Sequence, residues 1–225
     1  MSATSMDATV DAKWQRWGYL GGVVFVVLNI IGFATGGTPP ATDASAEKIA
    51  KYFVDNDSGL KIAAITTAFG LAFALRWLLS MWCRISRLEP NGPRLSLVFV
   101  LGLVMSGSIV AVAQAMFSSV AIRIDTLAGA SEFVWTFGYA MYGMALALVA
   151  VHMLAAAALT MRSGFLPAWT AYIALLAAAG SAVAAIASGS DAPALTIFQM
   201  VGYIGWLLWI LIVSVLLYMG KDAQA

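Results

Sequence analysis

The chain predicts an all-α polytopic membrane protein: six transmembrane helices, both termini on the cytoplasmic side, and a short amphipathic helix on the outer side. Three observations carry that reading. Of the 225 residues 62% are hydrophobic and only 10% are charged, against about 25% charged in an ordinary soluble domain. Six apolar runs reach the roughly 20 residues that a helix needs to cross about 30 Å of hydrocarbon. The Lys and Arg residues between those runs are unevenly divided between the two sides.

The spans fall at about 15–36, 60–83, 94–117, 133–160, 166–188 and 195–219, within a single membrane domain covering residues 1–225. Lys13 and Arg16 precede the first run, which resembles the start of a signal peptide. The apolar core of a signal peptide lasts about 7–15 residues. Here the run continues from Gly18 to Phe33 with no A-x-A-type cleavage site after it, so it is read as the first spanning helix. Thr38-Pro39-Pro40 then breaks the helix, and Thr42 or Asp43 is placed to cap a new one over about 43–55. In that segment Ile49, Tyr52 and Phe53 share a face, with Glu47, Lys48, Lys51 and Asp55 elsewhere. The pattern is amphipathic, and a lid packed on the bundle is favoured over a partner-binding helix. Spans two and three enclose the basic turn Arg84–Arg94, residues 118–132 join spans three and four, and MRSGFLPAW joins four and five.

Orientation follows from Lys and Arg alone. One side holds Lys13, Arg16, Arg84, Arg87, Arg94, Arg162 and Lys221; the other holds Lys48, Lys51, Lys61 and Arg123 among several acids, including Asp191. The richer side is expected in the cytoplasm. Trp14, Trp17, Trp77, Trp82, Trp135 and Trp169 are placed towards span ends, at headgroup level.

The first span, the Pro-containing loop with its AEKIAKYF helix, the Arg-rich turn and MRSGFLPAW together resemble a family of six-span bacterial membrane proteins. That family is frequent in actinobacteria and classified only as a domain of unknown function. The resemblance implies the six-span fold and a bacterial cytoplasmic membrane, and brings no catalytic or binding residues with it.

Within the spans a few residues stand out. Gly18, Gly22, Phe25, Asn29, Gly32 and Gly36 recur at steps of four and three, which puts them on one seam. Glycines there allow close helix packing, with Asn29 bonding across the seam or lining a polar pocket. Arg76 lies eight residues before Arg84, roughly 12 Å into the hydrocarbon. It either snorkels along Ser80, Cys83 and Arg87 to lipid phosphates or faces a cavity. His152, the one histidine, lies ten residues before Arg162 and roughly 15 Å deep, either hydrogen-bonded in the bundle or functional. Towards the outer leaflet lie Thr66, Thr67, Gln114, Tyr139, Tyr142, Gln199 and Tyr203, which line a pocket or bond between helices; interhelical bonding is favoured.

None of the eleven carboxylates falls inside a predicted span. A proton or cation relay on buried acids is thereby excluded within one chain. One His and one Cys fall short of a zinc site, and a haem shared by two copies of His152 has no further support. No metal or cofactor is expected, though a bound lipid is admitted. Cys83 reads as a small apolar residue near a helix end. The near-neutral charge, +1, gives no nucleic-acid footprint, and the two halves show no repeat. Three function classes stay open. The first is a channel- or transporter-like bundle handling a small molecule, anion or lipid. The second is a non-catalytic accessory subunit binding other membrane helices, with a homo-oligomer or membrane-protein partner expected. The third is an enzyme on a lipid or quinone, for which no nucleophile–base pair is visible.

Overall fold

The computed structural model describes residues 3–41, 43–188 and 196–220. It contains α1 (Ala3–Thr35), α2 (Ala46–Asp55), α3 (Asp57–Ile85), α4 (Arg94–Ile122), the single turn α5 (Ile124–Leu127), α6 (Ser131–Ser163), α7 (Ala168–Ala187) and α8 (Thr196–Tyr218). Short 3-10 turns follow α3 and α5, and the described residues contain no strand. Six of the helices are long and apolar enough to cross a membrane. Thr42, Asp191, Lys221 and Asp222 lie outside the described residues.

Short connections make successive spanning helices antiparallel neighbours. Here they do so all the way round: α1 packs on α3, α3 on α4, α4 on α6, α6 on α7, α7 on α8, and α8 returns to α1. The bundle is therefore a closed ring of six. The start of α1 and the end of α8 sit together at the end carrying Arg16, Arg84, Arg87, Arg94 and Arg162, called here the basic end. The Nε–H of Arg16 donates to the Tyr218 carbonyl at 2.6 Å, and the Trp17 ring meets the Tyr218 ring edge-on. The outer surface of the ring is apolar, with Ile30, Phe69, Leu79, Met144 and Ile186 among its exposed side chains. Such a surface suits hydrocarbon, and the closed helical backbone leaves no ladder unpaired in it.

Local chemistry sets the turns. Gly164 takes the left-handed conformation (φ +63°) that ends α6, and its N–H bonds the Thr160 carbonyl at 2.9 Å. Phe165 and Leu166 are then buried, and Pro167 starts α7. At the head of α4, Pro93 occupies the capping position with no side-chain oxygen to offer. Glu89 supplies it instead: its carboxylate accepts from the N–H of Leu95 (3.0 Å), the N–H of Ser96 (2.8 Å) and the Ser96 hydroxyl (2.6 Å).

Four expectations need correction. The amphipathic helix begins at Ala46 with Ser45, not Asp43, at its cap position, because extended backbone at Ser45 only then turns helical. Helix α4 runs on to Ile122, and α5 with a 3-10 turn fills most of what reads as a loop over 118–132. Trp77 and Trp135 do not turn their rings outward to headgroups but lie in the core, 1% and 3% exposed, since their faces of α3 and α6 turn inward. Gly36 lies past the end of α1, and its nearest neighbours are its own chain's Gly32 and Phe33 carbonyls, so it does not extend the seam.

Candidate functional site

Three levels stack along the ring. At the basic end, the Arg76 guanidinium reaches back along α3. One Nη–H donates to the Ser80 hydroxyl at 2.8 Å, and the other nitrogen donates to the Trp14 carbonyl on α1 at 2.6 Å. Gly18 makes room for it: a methyl group there would overlap Arg76 Nη1 and Ser80 Oγ. Beside the guanidinium is a cleft of about 290 Å³, lined by Gln15, Arg76, Leu79, Ser80, Cys83 and Arg87. A second cleft of about 260 Å³ on the other side of Gln15 is lined by Arg16, Tyr19, Arg84 and Leu217, among others. No carboxylate bonds Arg76 among the described residues.

The next level is a plug. Trp77, Phe99, His152 and Trp209 come from α3, α4, α6 and α8 and meet in the middle of the ring. Trp77 lies 6.1 Å from Phe99 and 6.4 Å from Trp209, centre to centre, and Phe99 lies 4.3 Å from the His152 ring. All four are buried. His152 Nδ1 is 2.6 Å from the Phe99 carbonyl oxygen, so Nδ1 carries the proton and donates across from α6 to α4. Its Nε2 meets no hydrogen-bond partner among the described residues. The structure thus places His152 inside packed aromatic rings, apart from Arg76 and apart from the polar residues beyond.

The third level is polar. The buried apolar core is split in two: one cluster fills the basic half, and another lies beneath α2, built on Ile49, Phe53, Phe117 and Trp135. Between them lie Asn29, Thr67, Gln114, Tyr142 and Tyr203. Heptad spacing shows how these face. Tyr142 is seven residues before buried Val149, Thr67 seven before buried Ala74, Gln114 seven before buried Ala121, and Gln199 seven before buried Trp206. Residues seven apart on a helix share a face, so all four turn to the inside of the ring. They are nonetheless only half-buried. Tyr142 lies within electrostatic reach of Tyr52, Tyr139 and Tyr203. Tyr52, on α2, donates its hydroxyl to the Gly36 carbonyl at 2.7 Å and pins the lid; burial, with Tyr139 adding to it, pushes this phenol up to about 12.

These polar groups do little for one another. The one interhelical bond among them runs from the Tyr203 hydroxyl to Asn29 Oδ1 at 3.3 Å, while Asn29 Nδ2 donates to the Phe25 carbonyl of its own helix. Thr66 donates to its own helix, to the Ile62 or Ala63 carbonyl. Thr67, Gln114, Tyr139, Tyr142 and Gln199 make no hydrogen bond with described residues, and Gln114 Oε1 is fully buried without a partner. Among the described residues the favoured expectation of interhelical bonding therefore holds for a single pair. Comparison of the chain with protein-family models, with curated proteins and with solved structures finds no match in any of the three.

The glycine seam is spent inside the chain. A methyl on Gly22 would overlap Ser214 Oγ and lie 2.8 Å from Trp77 Nε1; one on Gly32 would lie 2.7 Å from Thr66 Oγ1. Gly21 approaches the Phe73 carbonyl as closely, a contact that the seam pattern omits. Sequence reasoning also missed the plug aromatics Phe99 and Trp209. In an apolar span nothing distinguishes an inward aromatic from a lipid-facing one until the exposed face is known. Among the described residues no cluster of His, Cys, Asp and Glu could hold a metal ion.

Proposed function

We propose that this protein is a multi-pass bundle of a bacterial cytoplasmic membrane that binds an uncharged, hydrogen-bonding small molecule between the aromatic plug and α2. Its basic end faces the cytoplasm. One observation carries the reading: Thr67, Gln114, Tyr142 and Gln199 turn inward and make no hydrogen bond with a described residue. A polar group withdrawn from water without a partner costs about 1–3 kcal/mol, so such a layer calls for water or a ligand. The ligand is uncharged because no ionic side chain among the described residues lies in the layer, and an unpaired charge at that depth is expensive. Phenol and amide groups supply the donors and acceptors.

A through-channel fits less well, since Trp77, Phe99, His152 and Trp209 fill the ring on the basic side. The accessory-subunit reading loses its main support, because the close-packing glycines already serve contacts within the chain. The test is a density map of the protein purified in nanodiscs from its native membrane. Non-protein density within hydrogen-bond distance of Tyr142 and Gln114 is expected. Side chains from the same protein filling that space and bonding both residues would overturn the reading.

A further inference from the structure

We infer that the cleft between α1 and α3 at the basic end is a binding site for a phosphate group. Four features of the cleft combine. Arg76 has five N–H donors and uses two of them, on Ser80 and on the Trp14 carbonyl. Those two bonds fix the guanidinium plane without neutralising it, leaving the remaining donors set in position. Arg87, eleven residues further on in the 3-10 turn that follows α3, lines the same cleft and makes no hydrogen bond or ion pair with a described residue. Gln15 closes the α1 side, its amide nitrogen held by Tyr19 Oη (3.3 Å) and the Ser80 carbonyl (3.4 Å). Two guanidinium groups converging on one cleft recognise phosphate oxygens by paired N–H bonds, which a carboxylate-free site leaves available.

Phosphate at this place has two sources, a lipid headgroup and the free ion. Geometry favours the lipid. Leu79 forms the cleft's apolar wall and is 61% exposed, and Leu75, one turn further from the basic end, is 53% exposed. An acyl chain laid along these residues continues directly from the arginine pair into the hydrocarbon. The arrangement also explains the depth of Arg76 in the sequence: the side chain is long enough to bring its charge to the phosphate level while its stem lies among apolar groups. This site is separate from the polar layer, from which the plug divides it, and neither reading depends on the other.

The experiment is intact-protein mass spectrometry from detergent containing equal phosphatidylglycerol and phosphatidylcholine. Wild type is compared with Arg87→Gln, with the double variant Arg76→Gln/Arg87→Gln, and with the charge-matched Arg123→Gln at the opposite end. Wild type and Arg123→Gln are expected to retain phosphatidylglycerol selectively. Arg87→Gln should weaken retention, and the double variant should lose it by about ten-fold or more. A parallel titration with inorganic phosphate identifies the source. Displacement of the lipid by millimolar phosphate assigns the site to the free ion, and no displacement assigns it to the headgroup; either supports a phosphate site. Equal retention in the double variant, or equal loss in Arg123→Gln, overturns the inference. Arg87 is exposed, so its single variant keeps the test valid even if the loss of Arg76 unfolds the bundle.

Discussion

His152 on α6 donates its Nδ1 proton to the carbonyl oxygen of Phe99 on α4, 2.6 Å away, and the two rings lie 4.3 Å apart. One residue thus joins two helices by a hydrogen bond and a ring contact at the same point. Gly102 completes the fit: a methyl there would lie 2.9 Å from His152 Cβ. His152→Ala removes the bond and leaves a hole in the plug, so stability should fall by about 2–4 kcal/mol. The check is the unfolding midpoint in detergent, which should fall in the variant.

The glycines of α1 give a graded prediction. Gly22→Ala places a methyl group against Trp77 and Ser214, where little can move, and should cost about 1–3 kcal/mol. Gly36→Ala meets nothing nearer than 3.5 Å and should be close to neutral. Thermal unfolding of the two variants side by side reads the difference. If Gly22→Ala instead left the bundle intact and dissociated an oligomer, the seam would belong to an interface between chains.

Much of this was legible beforehand, for definite reasons. The spans follow from apolar length, which a bilayer demands of any helix crossing it. Arg76's route towards Ser80, Cys83 and Arg87 follows from helical spacing alone. Its second partner, the Trp14 carbonyl, belongs to another helix and is a backbone atom, so no residue pattern marks it. Trp77 departs from its expected place for a related cause: rings of the same type serve both the headgroup belt and the core. Gln114 and Tyr142 could be named but not interpreted, because a polar residue in a span reads the same whether its partner is a helix, water or a ligand.

Glu89 predicts a pH effect. Burial pushes its carboxyl up, but the hydrogen bonds from the Ser96 side chain and from the Ser96 and Leu95 N–H groups, with the charge of Arg162, outweigh this. The net pKa lies below the ordinary value for a glutamate. A carboxyl depressed in the folded state adds stability above its unfolded pKa of about 4.3 and loses it as pH falls through the lower folded value. Glu89→Ala should therefore cost about 0.5–2 kcal/mol at pH 7, as loss of a helix cap does. The difference from wild type should shrink below about pH 4. Unfolding midpoints measured across pH test both parts.

Gln114→Leu separates stability from binding. It removes an unpartnered buried oxygen, so the ligand-free bundle should be unchanged or more stable by about 1 kcal/mol. Retention of a co-purifying ligand should drop. Thermal unfolding before and after ligand removal distinguishes the two effects, and a Gln114→Leu protein that is less stable in both states would count against an unpartnered layer.

The most direct measurement is accessibility of single cysteines, in a Cys83→Ser background, to a membrane-impermeant thiol reagent applied from each side. Cysteine at Tyr142 or Gln114 should react from the α2 side, and cysteine at Met153, within the packed basic half, from neither. Protection of both polar-layer positions in the folded protein, or reaction of the Met153 position, would contradict a wet layer closed off by an aromatic plug.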